Sequence, residues 1–301
     1  MTLVTDTAKD VAGAPLSSSR HWWRRDVVRR MLGHRTFMIG AVLFFAVLVV
    51  TLLAPWIAPV DPLKVSMRNS FKPPSADFWF GTDNLGRNLL SRVLYGGRAS
   101  LLIGFVVVIV NAVFAVGIGA IAGYFRRLDN PVMRVMDALM AFPAILLALG
   151  IAAALGPSMA NAMIALAVVA IPGNARLVRS TFLVIREMTY VEAAIVAGAR
   201  PMRIIMKHIL PNCMAPLVVA LSFTFAYAVL AEAVLSFLGV GTPPPAPSWG
   251  GIIAEGRYYL SDAPWIILIP GGMLAMTVLS LNLLGDGLRD VLDPKLKVQR
   301  G

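Results

Sequence analysis

Long apolar runs alternate with short polar, basic stretches along this chain, and the runs are of a length that crosses a bilayer. A helix needs about 20 residues to pass roughly 30 Å of hydrocarbon, and only helices or closed barrels satisfy their own backbone there. Six stretches meet or approach that length: 37–57, 101–124, 138–155, 161–171, 215–238 and 265–284. The third is short and contains Pro143. The fourth is apolar only to Ile171, where Pro172 and Gly173 precede Arg176 and Arg179, so a broken or tilted span is expected. The pattern predicts an all-α membrane protein with six transmembrane helices and both ends on one side.

Composition agrees, since 58% hydrophobic and 14% charged residues among 301, with a mean hydropathy of +0.75, do not describe a soluble surface. A net charge of +11 would fit a nucleic-acid binder, so the placement of the basic residues decides. Twenty of the 27 Lys and Arg fall on the side of the amino terminus and seven on the other. That split places both termini in the cytoplasm and points to anionic lipid, with no nucleic acid as partner. Residues 1–20 read as a disordered tail, and Trp22, Trp23, Arg24, Arg25, Arg29 and Arg30 as an interfacial basic helix. Residues 36–57 are too long for a cleaved signal and read as an anchor. The expected organisation is a cytoplasmic tail (1–35), a first span with an outer segment (36–98), a core (99–290) and a second tail (291–301).

Catalytic chemistry is not visible. One cysteine and three scattered histidines offer neither a disulfide framework nor a metal site. No Gly-Lys dipeptide occurs, so the phosphate-cradling loop of an ATPase is missing, as are a nucleophile elbow and a zinc helix. No catalytic residue, metal or cofactor is assigned to this chain.

The most informative stretch is TYVEAAIVAGARPMRIIMKHILP, Thr189 to Pro211, on the cytoplasmic side. Thr189 and Glu192 have capping-box spacing. Ala193, Ala194 and Ala197 give a small face, Gly198 a terminator, Pro201 a first turn and Pro211 an end to the second helix. A helix, a sharp turn and another helix are predicted, docked on a partner or lying on the bilayer.

This stretch resembles the coupling segment of permease subunits of ATP-binding-cassette importers: E-A-A, three residues, G, nine residues, I-x-L-P. Glu192, Ala193, Ala194, Gly198, Leu210 and Pro211 stand in register, while His208 replaces the isoleucine. HILPN, with FGTDNLGRNLLSRVLYGGRASL, LSFLGVGTPPPAPSWGGII and LNLLGDGLRDVLDPK, is similar to the dipeptide, oligopeptide and nickel branch, although Asn88 stands where Asp is usual. The resemblance implies an importer permease fold in a bacterial inner membrane. It also implies a second, different permease subunit, two ATPase subunits carrying ATP and magnesium, and a periplasmic or extracellular solute-binding protein. The imported solute is then a peptide or a similar small molecule.

Glu232 is the acidic residue well inside an apolar span, and it reads either as part of a translocation path or as a structural group. Asn111 and Asn161 carry the same two readings. Ala115, Gly117, Gly119 and Gly123 form a small-residue packing face. Arg134 and Asp137 have the spacing of a local ion pair. Residues 59–98 read as a platform for a binding protein or as an interfacial helix anchored by Trp79 and Tyr95, and TPPPAPSW, Thr242 to Trp249, as a rigid rim. A stand-alone secondary transporter with Glu232 as proton carrier is the alternative, which inverted repeats would favour.

Overall fold

The computed structural model describes residues 29–292. The expected tail, with Trp22 to Arg25 of the basic helix, and the end from 293 lie outside the described residues. Arg29 and Arg30 open a helical turn through 33. Nine principal helices follow: α1 Arg35–Leu52, α2 Leu89–Tyr124, α3 Arg126–Met140, α4 Ala144–Leu155, α5 Met159–Arg186, α6 Thr189–Val196, α7 Pro201–Phe237, α8 Trp249–Gly256 and α9 Trp265–Leu292. Five of them are long and apolar enough to cross a membrane, and α3 with α4 forms a bent pair that makes up to six.

Side-chain size decides how the helices meet. α2 and α5 run parallel in close contact, because a Cβ on Gly119 would fall 2.6 Å from the Ala175 carbonyl and one on Gly123 2.5 Å from Phe182 Cβ. Gly119 and Gly123 form the small-residue face as expected, whereas Gly117 meets nothing within 4 Å. α1 and α9 are antiparallel: Gly40 lies against the backbone of Leu284, Gly287 against that of Phe37, and His34 is 3.5 Å from Asp290. α7 runs antiparallel to α2, with Phe225 against Gly104 and Glu232 against Ser100. The start of α1, the end of α9, the ends of α2 and α5 and the start of α7 therefore share one end of the bundle. Residues 189–211 lie there as well.

Three spans differ from expectation. The stretch 138–155 is two helices bent by 88° around Ala141–Pro143. Pro143 has extended backbone and caps α4, whose 12 residues reach only about 18 Å. Its partner α3 continues back through the segment expected to be a connection, because Met133 and Met136 are buried against Ala115, Ala122 and Ala175. α5 passes through Pro172 and Gly173 as one 28-residue helix. Pro172 is buried there, inside a helix that packs closely on α2 through Gly119. α2, finally, starts twelve residues before its apolar run, and its 36 residues span about 54 Å.

That early start takes residues 89–98 out of the outer segment expected at 59–98 and makes them the first turns of a spanning helix. Ser91 to Leu94, Gly96 and Gly97 are buried, with Gly97 facing Thr51 and the Trp249 ring. Asn88 is the N-cap of α2, and its side chain accepts from Ser91 N at 3.1 Å. Asparagine caps as well as aspartate, so the usual carboxylate is not needed at this end. Arg134 does not pair with Asp137; Asp137 pairs with Arg176, and Asp129 with Arg179 through two bonds, one of 2.6 Å. Residues 242–249 are more than a rim, since Ser248 caps the unexpected helix α8 by accepting from Gly251 N at 3.1 Å.

Candidate functional site

At the end carrying residues 189–211, α6 has Met188 as its N-cap and no side-chain cap bond, so the capping box of Thr189 and Glu192 does not form. Met188 O takes the Glu192 N–H at 3.2 Å, and Val191 is buried, which draws the helix start back one residue. Glu192 stays exposed in the first turn, where a carboxylate favours the helix dipole. Gly198 ends α6 at φ 75°. Ala199 N donates to Ala194 O at 3.1 Å and Gly198 N to Ile195 O at 2.9 Å, a Schellman turn that needs the left-handed residue.

Pro201 then opens α7. Pro211 does not end it. The helix runs on to Phe237 through a π-turn at Ile205–Ile209, where Leu210 N reaches back to Ile205 O. Pro211 has no N–H for the carbonyl of Lys207 four residues before it, and the wider turn shifts the pairing. Leu210 is half-buried and Pro211 exposed. His208 contributes its carbonyl, which accepts from the Tyr190 hydroxyl at 3.2 Å and the Asn212 amide at 2.8 Å. Partial burial raises the Tyr190 phenol above its ordinary value, with a smaller contribution from nearby Cys213. Val191, Ile204, Ile209 and Cys213 root the segment on Phe182 and Leu217. Its tip is uncovered: Ala193 is exposed, Val196 is 88% exposed and Met202 69%.

The opposite end is built differently. Arg92, 1% exposed, donates to Asp83 at 2.7 Å and to both oxygens of Glu255 at 2.9 and 3.1 Å. Arg87 Nε reaches Asp83 at 2.6 Å, and its Nη2 reaches Glu255 at 2.6 Å. Asp83 also accepts from the backbone N–H of Leu85 and Arg87. Two arginines and two carboxylates neutralise one another and tie the 60–88 segment to α2 and α8. The segment is held further by Trp265 Nε1 donating to Thr82 O at 3.1 Å and by the Phe71 ring packing at a tilt on Tyr259, centroids 4.9 Å apart.

Nearby, Glu232 is fully buried, and its oxygens accept from Ser100 at 3.0 Å and Ser236 at 2.7 Å. Ser236 in turn accepts from Thr242 N, and Trp249 N donates to Ser100. The carboxyl therefore joins α2, α7, α8 and the 242–249 loop.

Residues 115–298 match the family described as binding-protein-dependent transport system inner membrane component. The chain belongs to this family. Residues 22–74 match the N-terminal transmembrane domain of oligopeptide transport permease C. A Brucella abortus protein named as a peptide transport system permease is 56% identical over 90% of this chain and 92% of its own length. The di/tripeptide transport system permease DppC of Pseudomonas aeruginosa is 43% identical over 88% and 90%, and the dipeptide permease DppC of Alkalihalophilus pseudofirmus 40% identical over 91% and 90%. Among solved structures, the inward-facing methionine transporter MetNI matches 67% of this chain and 96% of its own with a TM-score of 0.57 at 23% identity, a likeness of fold. Transport by a component of a multi-subunit importer supersedes the stand-alone, proton-coupled alternative.

The permease's remaining polar positions sit apart from Glu232. Asn111 is fully buried and accepts from Asn174 Nδ2 at 2.7 Å, while the same nitrogen donates to Thr224 at 2.9 Å, so α2, α5 and α7 share one polar node. Asn161 donates to Leu155 O and Gly156 O, both at 2.9 Å, and closes the α4 to α5 turn. The three residues singled out for a path thus belong to three separate hydrogen-bond groups. Sequence reasoning missed Asp83, Arg87, Arg92 and Glu255. An arginine among small and apolar residues was the available signal for Arg92, but Glu255 stands 163 positions away and carries none.

Proposed function

We propose that this permease forms half of the pore of an ATP-driven importer of peptides and takes its drive through residues 189–211. The observation that carries this reading is the helix, Schellman turn and second helix with an uncovered apolar tip at Ile195, Val196 and Met202, rooted on the bundle through Val191 and Ile204. A short helix with small residues fits a groove on a partner, and Ala193 and Ala194 let that partner approach. Glu192 lies in the first turn of this helix and Gly198 ends it, while His208, Leu210 and Pro211 belong to the π-turn and the turn after it in the root of α7.

In this reading the partners are a second, different permease subunit, two ATPase subunits that bind ATP and magnesium, and a solute-binding protein on the far side. The chain itself binds no cofactor and does not hydrolyse ATP. The twenty-to-seven split of Lys and Arg supports termini and coupling segment in the cytoplasm of a bacterial inner membrane. The names of the relatives support a peptide as solute. The enclosure of Glu232 supports a role in holding α2, α7 and α8 together, and that of Asn111 and the bond pattern of Asn161 support packing roles.

Reconstitution of the complete importer with its binding protein tests the proposal: dipeptide uptake should require ATP, and uptake driven by a proton gradient alone would overturn it. Orientation is tested separately in a Cys213→Ser background, because Cys213 and Ser248 are both buried and report on neither side. An impermeant thiol reagent on intact cells should label Tyr258→Cys and leave Arg127→Cys unlabelled.

A further inference from the structure

Tyr190, His208 and Asn212 close a triangle that the coupling reading does not explain. Tyr190 stands in the first turn of α6, and Asn212 and the His208 carbonyl in the first turns of α7. The Tyr190 hydroxyl donates to His208 O at 3.2 Å, and the Asn212 amide donates to that same carbonyl at 2.8 Å and to the Tyr190 oxygen at 3.1 Å. Each group fits by its inventory: a phenol donates and accepts at once, a primary amide has two hydrogens, and a carbonyl takes two donors.

The place of the triangle matters more than its energy. The π-turn at Ile205–Ile209 is the irregular turn in the root of α7, and such turns are where helices bend. The connection from α6 to α7 runs through Gly198, which meets nothing within 4 Å of its Cβ position, and extended Arg200. A load on α6 could be absorbed by bending at both points. The triangle bridges them, binding the start of α6 to the far side of the π-turn.

We infer that Tyr190 and Asn212 are positioning residues for coupling: by holding the His208 carbonyl between them they make α6 and α7 move as one lever. The inference rests on residues 189–211 being the coupling segment. Through α7 the displacement reaches Thr224, bonded to Asn174 on α5, and Glu232, bonded to Ser100 on α2. Tyr190 and Asn212 are exposed, so removing either polar group returns its partners to water and leaves no buried group unpaired.

The test uses the full importer in nanodiscs with its binding protein, added as isolated with its endogenous ligand, and reads the ratio of stimulated to unstimulated ATP hydrolysis. Tyr190→Phe and Asn212→Ala should each lower that ratio by about fivefold or more. ATPase subunits should copurify as with wild type, and the double variant should be no worse than Tyr190→Phe alone, because the phenol makes both bonds that join α6 to α7. Wild-type ratios in both variants, losses that add in the double variant, or losses that track missing ATPase subunits would each overturn the inference. Ala193→Arg separates the two levels. If it abolishes stimulation while the triangle variants behave as wild type, the triangle alone is refuted; if it too is stimulated normally, the coupling segment itself is misassigned.

Discussion

Where Asp83, Arg87, Arg92 and Glu255 pair with one another within the chain, Ile195, Val196 and Met202 at the other end of the same bundle stand uncovered. Both ends hold a short helix against the spans, α8 in one case and α6 in the other. α8 buries Trp249, whose indole donates to Val93 O at 2.9 Å, and a Cβ on Gly250 would fall 2.4 Å from Ala233 Cα. α6 buries Val191 and hangs otherwise on the triangle. The first end ties its short helix to the spans through buried bonds, whereas the tip of the second stands clear of the bundle, which is the surface that the proposed coupling would use.

Variants at the open end should give the largest effect. Ala193→Arg brings a bulky charge into the proposed contact, and Gly198→Val places a β-branched residue at φ 75°, where only glycine sits without strain. Both should insert in the membrane normally, since neither residue is needed to pack the spans, yet uptake should fall below about a tenth of wild type. Ala193→Arg should also copurify less ATPase. Normal uptake by both at normal expression would erase the contrast between the two ends.

At the closed end the expected effect is on stability. Arg92→Met leaves Asp83 and Glu255 sharing one arginine in a buried site, at a cost of about 3–5 kcal/mol. A clearly lowered unfolding temperature of the purified subunit checks this, and an unchanged one would mean that the network contributes nothing. Glu232 belongs to the same end. Glu232→Leu strips two hydroxyls of their acceptor and should destabilise by about 1–3 kcal/mol. Glu232→Gln should keep uptake near wild type, because Ser100 and Ser236 can reorient towards an amide. A large loss of uptake at unchanged stability in Glu232→Gln would instead favour the translocation-path reading.

The smallest effect concerns the cap of α2. Asn88→Ala should cost about 1 kcal/mol and Asn88→Asp no more than a few tenths, read as shifts in thermal unfolding. A large gain with aspartate would show that this position wants charge as well as a hydrogen-bond acceptor.

Much of this architecture was already written in local pattern. Spans appear in the sequence because an apolar run of bilayer length has one stable home, and the turn at Gly198 because left-handed backbone selects glycine wherever it occurs. The register from Glu192 to Pro211 was legible for the same reason: it is set by neighbours along the chain. What failed were inferences that needed a partner from elsewhere. Pro172 reads as a break and is none, since α2 packs against the helix around it. Residues 59–98 read as one outer segment, while 89–98 open α2 and bury Arg92 against carboxylates at Asp83 and at Glu255. Arg134 and Asp137 have the spacing of a pair, but Asp137 meets Arg176 on α5. Pro211 reads as a stop and becomes the cause of a π-turn. Sequence alone determined which segments enter the membrane and where the short helix ends, because hydrophobicity and backbone preference act locally. Only the tertiary structure decided which charges are paired and which helices bend, because the energy of a buried polar group depends on a partner that the chain brings back from far away.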